Sequence, residues 1–205
     1  GRQVRVSPAL FNTRDEIAIV RKGQAIPAQT PYSPGVAGYD PDFRTSANEY
    51  SVPKARALLD MYGYVDRDGD GWREQPDGRP LLVDYKYNAG SQSNRQIAEL
   101  WVKSAAAIGV RVNAGAVQFV DLLSDKRVGK FQMAGSAWIA DYPDAQNFLQ
   151  LFYGPNTGQS NEARLRLPQF DLLYRQSQAV PDSPERNALY REMSRLILAY
   201  APWRL

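Results

Sequence analysis

Leu81-Leu82-Val83-Asp84-Tyr85-Lys86-Tyr87, then Ile97, Leu100, Trp101, Ile108 and Gly109, then Val110-Arg111-Val112-Asn113-Ala114, carry the architecture of this chain. Strict alternation puts Leu81, Val83, Tyr85 and Tyr87 on one face, the period of a half-buried strand. The following apolar positions recur at helical spacing, Gly109 supplies a helix stop, and Val110, Val112 and Ala114 alternate again as a strand. Strand, helix and strand with short joints predict a parallel, right-handed crossover.

Downstream of this unit, the pattern predicts a helix over Val120 to Val128 and a strand over Phe131 to Ala137. From Pro168 to Tyr200 it predicts two helices, the second opened by Ser183-Pro184 and striped by Leu189, Met193, Leu196, Ile197 and Tyr200. Upstream, Ser51 with Pro53 marks a helix start, and Ala55, Leu58, Leu59 and Tyr62 follow at i, i+3, i+4, i+7 before Gly63. A first helix is expected over Asn12 to Val20, with Ile17 and Val20 on one face and Lys22-Gly23 as its stop. Between them, Ala25 to Phe43 holds Pro27, Pro31, Pro34 and Pro41 with Gly35 and Gly38, a composition that predicts an extended surface connection. The fold class expected is α/β, a mixed, mostly parallel sheet flanked by helices.

A length of 205 residues with 43% hydrophobic content suits one domain with one sizeable core. Lys and Arg number 25 against 22 acids, with the two signs interspersed, and no basic stripe marks a nucleic-acid partner. Cysteine is absent, which excludes a disulfide framework and a thiolate metal site. Histidine is absent too, removing the commonest general base and the favoured zinc ligand. The chain opens without methionine and in mid-pattern, so the lack of a leader at Gly1 says nothing about export.

Asp66-Arg67-Asp68-Gly69-Asp70-Gly71 fits the opening of a calcium loop, with Asp66, Asp68, Asp70 and Asp77 as oxygen donors and a glycine for the sharp turn. Against calcium, position twelve is aspartate where a bidentate glutamate is usual, position eight is Arg73, and a strand follows where a helix would. The same phrase also makes a polar turn that needs no cofactor.

Several phrases in order give the chain its resemblance. They are Asn12-Thr13-Arg14-Asp15-Glu16-Ile17, Gly23-Gln24-Ala25-Ile26-Pro27-Ala28, Gly38-Tyr39-Asp40-Pro41, Ala55-Arg56-Ala57-Leu58-Leu59 and Asp68-Gly69-Asp70-Gly71. The most specific is Trp138-Ile139-Ala140-Asp141-Tyr142-Pro143-Asp144 with Asn147-Phe148-Leu149, followed by Phe170-Asp171-Leu172-Leu173 and Arg186 to Tyr190. Nearly end to end, the chain resembles the peptide and nickel type, or family 5, extracellular solute-binding proteins of bacterial ABC importers. It departs from the usual aspartate-proline ending of the tryptophan motif by placing Ala145 after Asp144.

The resemblance implies one lobe of a two-lobed, type II periplasmic binding fold, with residues 1–205 as the C-terminal lobe and the N-terminal lobe and final return segment outside the chain. It implies a monomer, periplasmic or lipid-anchored, that captures a peptide or similar small solute between lobes and hands it to a membrane permease without chemistry. It further implies that Asp141 pairs with the ligand's α-ammonium, a charge-assisted bond that orients a peptide. Trp138 is then an aromatic wall or a core residue, with Tyr142, Tyr153, Asn156 and Asn161 as rim candidates. Asp144 reads as a helix cap. The rival functions are a hydrolase using Asp141 and Asp144 as acid and base, a binding protein for a non-peptide solute such as an oligosaccharide or nickel complex, and an interaction domain using the proline-rich segment.

Overall fold

A computed structural model describes residues 16–25, 28–45 and 50–203. Strand β1 (Leu82–Asn88) is central in a three-stranded sheet of order β2-β1-β3, with β2 (Arg111–Val117) and β3 (Met133–Ala134) both parallel to it. Helix α1 (Val52–Met61) precedes the sheet, α2 (Gln92–Ala106) links β1 to β2, and α3 (Phe119–Val128) links β2 to β3. A short helix α4 (Gln146–Leu149) runs into a 3-10 turn, Gln150–Phe152, and helices α5 (Pro168–Ala179) and α6 (Pro184–Tyr200) close the chain.

The alternation along β1 has its expected effect, since Leu81, Val83 and Tyr85 are buried while Leu82 and Asp84 are exposed. The buried face packs with Ala55 and Leu59 of α1 and with Ala105, Ile108 and Val110. Burial of side chains this size stabilises by about 2 kcal/mol each. The opposite face is polar: the Lys86 ammonium lies 2.6 Å from Asp125 of α3 and also donates to the Lys130 carbonyl. Successive residues of β1 therefore meet α2 on one side and α3 on the other. Because the chain leaves β1 for β2 and then crosses back to β3, strand order reverses between β1 and β3. The carboxyl ends of these two strands flank the crevice where open α/β sheets bind ligands.

A second core holds Phe148, Leu149, Leu151 and Phe152 around α4, Phe170 and Tyr174 of α5, and Tyr190, Met193 and Ile197 of α6, with Tyr32. The Ser183 hydroxyl caps α6 by accepting from the Arg186 amide, as Ser183-Pro184 predicts. The deepest face of α6 is Tyr190, Met193, Ser194 and Ile197, one residue round from a stripe centred on Leu189.

Several expectations change. The proline-rich segment is a surface connection only in part: Pro34, Gly35 and Pro41 are exposed, but Thr30, Tyr32 and Phe43 are buried and the Tyr32 hydroxyl meets Ser194 of α6. Its Gly38 has φ +92° and lies so close to Tyr190 that a Cβ would stand 2.5 Å from the ring, which only glycine allows. Tyr62 lies beyond the end of α1 and is exposed, while Tyr64, past the Gly63 turn, packs on the sheet core. In α2 the buried positions are Ala98, Ser104 and Ala105, since a helix seated on a sheet favours small side chains at closest approach, and Ile97, Leu100 and Trp101 are half-buried. The strand expected over Phe131 to Ala137 shrinks to two residues: the Asp84 amide donates to the Gln132 side chain, and pairing ends where the Gly135 amide meets the Lys86 carbonyl. The named strands are all parallel among the described residues. Of the first expected helix, Asn12 to Asp15 lie outside the described residues and Glu16–Val20 forms a π-helical turn.

Candidate functional site

Residues 135–145 leave the carboxyl end of β3 and form an irregular loop carrying Trp138, Asp141 and Tyr142, all exposed. The loop is pinned along its length. At its start Ser136 contacts Lys126 of α3, itself buried and paired with Glu162 at 2.9 Å. At its end Ala37 of the proline-rich segment bridges it in both directions, its amide donating to the Pro143 carbonyl and its carbonyl accepting from the Ala145 amide, each at 2.9 Å.

The middle of the loop is organised by a residue that pattern reading did not single out. Asn147, on the first turn of α4, is fully buried. Its Oδ1 accepts from the Trp138 indole Nε1 at 2.8 Å and from the Asp141 amide at 3.3 Å, and its Nδ2 donates to Asp141 Oδ2 at 3.2 Å. A detectable signal existed: an asparagine inside the apolar run Asn147-Phe148-Leu149-Gln150-Leu151-Phe152 faces a core and must be hydrogen-bonded.

Asp144 is oriented inward. Its Oδ1 accepts from the Gln146 amide at the start of α4 and from the Tyr190 hydroxyl, both at 2.8 Å, and its Oδ2 lies 2.8 Å from the Arg186 guanidinium. Arg186 also donates to the Ser177 carbonyl of α5 and stacks over the Tyr190 ring. Burial, together with donation to the Asp144 carboxylate, pushes the Tyr190 phenol far above its ordinary range. Both oxygens of Asp144 therefore have partners within the protein. Tyr142 donates to the Gln146 side chain, whose amide reaches the Tyr174 hydroxyl at 3.1 Å, and burial raises the Tyr174 phenol.

Trp138, Asp141 and Tyr142 are thus brought together around Asn147 and Gln146. The other three rim candidates lie in the loop after α4. Tyr153 stacks on Tyr174 at 4.6 Å, and the Asn156 side-chain Nδ2 donates to the Gln150 carbonyl. Asn161 is fully buried: its Nδ2 donates to the carbonyls of Tyr153 and Leu165 and its Oδ1 accepts from the Leu165 amide. These contacts staple the loop and leave the Asn161 side chain no open face for a solute, a correction to its reading as a rim residue.

Away from this crevice, Asp66, Asp68, Asp70 and Glu74 place carboxylate oxygens within 4.8 Å of one another. Asp77 is not among them. The Gly78 turn carries it away to an ion pair with Arg79 at 2.8 Å, which holds its carboxyl below the usual range, and Glu74 stands where Asp77 was expected. The loop's carboxylates already have partners. Asp66 accepts from the Gly69 and Gly71 amides, Asp68 from Asp70, Asp70 from Trp72 and Arg111, and Glu74 from Arg67.

The sequence model of the "Bacterial extracellular solute-binding proteins, family 5 Middle" matches residues 10–160. The chain belongs to family 5. Among curated relatives, it is 32% identical over 196 residues to "Di/tripeptide-binding protein 2" of Pseudomonas aeruginosa, covering 94% of this chain and 34% of that protein. It is 27% identical over 205 residues to "Heme-binding protein A" of Haemophilus influenzae, covering 98% of this chain and 35% of that one. It therefore spans about a third of the length of these relatives. Its fold matches the oligopeptide-binding protein AppA from Bacillus subtilis, solved with a nonapeptide, at a TM-score of 0.88 and 22% identity over 97% of this chain and 40% of that one. In this chain the tryptophan motif follows the carboxyl end of β3, beside the point where strand order reverses.

Proposed function

We propose that this chain is the C-terminal lobe of a periplasmic or lipid-anchored binding protein that captures a peptide between two lobes and delivers it to the permease of an ABC importer. The observation that carries this is Asp141. Its carboxylate is exposed in the loop beyond the carboxyl end of β3, one oxygen is held by Asn147, and the other is without a partner among the described residues. A fixed carboxylate facing a peptide's α-ammonium makes a charge-assisted bond of roughly 1.5–3 kcal/mol. Such a contact fixes the direction in which the peptide lies. The Trp138 ring, hydrogen-bonded to the same asparagine, offers apolar area beside it.

Capture then works by population shift. A solute that touches both lobes binds the closed form better than the open one, so it favours closure, and release follows when the permease favours the open form. The protein acts as a monomer, without nucleic acid, cofactor or turnover of the solute. Asp144, tied to Arg186 and Tyr190, supports the loop and does no acid-base work.

The test is to purify the intact protein that carries these residues, as wild type and as Asp141→Asn, and to identify by mass spectrometry what each releases on denaturation. Peptides recovered from the wild type and lost from the variant are expected. Recovery of haem or another non-peptide solute would reassign the ligand, and equal retention by the variant would remove Asp141 from the contact.

A further inference from the structure

We infer that Asn147 is the positioning residue of this site, holding the Asp141 carboxylate and the Trp138 indole in one fixed arrangement so that the site selects a free amino group. The inference rests on the reading of Asp141 as the ammonium partner and adds the device that makes it selective. Trp138 Nε1 and the Asp141 amide converge on a single oxygen, Asn147 Oδ1, at 2.8 and 3.3 Å, and the neighbouring Nδ2 holds Asp141 Oδ2 at 3.2 Å. One planar carboxamide therefore sets both the backbone and the side chain of Asp141, and the ring beside it.

The chemistry of the position is specific. The group must accept two hydrogen bonds and donate one, in one plane, from a short side chain. Aspartate would accept but could not donate, and it would set a second negative charge against Asp141. Leucine would fill the volume and make none of the bonds. Asn147 is itself held firmly. It is wholly buried, its amide donates to the Asp144 carbonyl, and its carbonyl accepts from the Gln150 side chain. Asp144, in turn, is anchored to α6 through Arg186 and Tyr190. The exposed carboxylate is thus fixed to the core through one buried amide. A carboxylate free to rotate would lose part of its attraction for an ammonium, because the ordering would then have to occur on binding.

The experiment measures trialanine and N-acetyl-trialanine binding by calorimetry to the intact protein, in wild type, Asn147→Leu, Asp141→Asn and the double variant. N-acetylation replaces the ammonium with a neutral amide bearing an acetyl group, so the change in the ratio of the two affinities between variants reports selection of the amino group. We expect Asn147→Leu to weaken trialanine roughly 10- to 100-fold, the range for a hydrogen bond to a charged group, with little change for the acetylated peptide. We also expect it to add no further loss in the Asp141→Asn background, because both substitutions remove the same contact. Should Asn147→Leu fail to fold, Asn147→Ser, which keeps a short polar side chain but cannot reach all three partners at once, replaces it in the same cycle. Loss of both peptides in equal proportion, or additive losses in the double variant, would overturn the positioning role and leave Asp141 as the partner. A wild type that does not discriminate the two peptides would overturn the ammonium reading itself, and this inference with it.

Discussion

Arg186→Met tests the support beneath the site loop. The Arg186–Asp144 pair at 2.8 Å has side chains only 16% and 19% exposed, so it lies between a surface pair and a buried one. Surface pairs contribute roughly 0–1 kcal/mol, and removing one partner of a fully buried pair costs roughly 3–5 kcal/mol. Asp144 would keep two donors, the Gln146 amide and the Tyr190 hydroxyl, which reduces the penalty, whereas the Ser177 carbonyl would lose the Arg186 Nε donor. The net destabilisation expected is about 2–3 kcal/mol. For a folding unit of this size that lowers the melting temperature by roughly 5–10 °C. Urea unfolding of the intact protein, followed by tryptophan fluorescence, measures it. The double variant Arg186→Met/Asp144→Asn should recover at least part of the loss, since no buried charge is then left without a counterion, while the carboxamide oxygen introduced in place of the carboxylate can still accept from Tyr190. A single variant within about 0.5 kcal/mol of wild type, or a double variant less stable than the single, would refute the electrostatic account.

Two further outcomes follow. Tyr85, buried on the inner face of β1, has its phenol pushed up to about 12 by burial, and a group whose folded value is raised contributes stability that is complete below the unfolded value near 10 and lost as pH rises towards 12. Alkaline unfolding monitored by circular dichroism should therefore steepen over that interval, and Tyr85→Phe should flatten it; an unchanged profile would show that other groups dominate. Because the acidic loop's carboxylates already accept from its own amides and from Arg111, calcium at about 1 mM should move the melting temperature by no more than about 1 °C, and a larger, saturating rise would assign the loop an ion.

Local pattern carried far in this chain. The alternation of Leu81, Val83 and Tyr85 identified β1 and its buried face, because strand geometry sends alternate side chains to opposite sides whatever they pack against. Ser183-Pro184 marked the start of α6, because a cap satisfies amides within its own first turn. Motif order pointed to the family, a property of consecutive residues.

What pattern could not supply depends on contacts between distant segments. The apolar run around Asn147 marks a buried amide, but its bonds to Trp138 and Asp141, nine and six positions away, form only once the loop folds back over the first turn of α4. Asp144 resembled Asp141 in sequence, yet Arg186 and Tyr190, more than forty positions away, turn it inward and leave only Asp141 facing solvent. Tyr32, in a segment whose prolines suggested a surface path, is buried because α6 offers it Ser194 and an apolar seat. Composition and periodicity report a residue's own backbone and its near neighbours, whereas burial, pairing and the choice of which carboxylate stays free are settled by whatever long-range packing places alongside it.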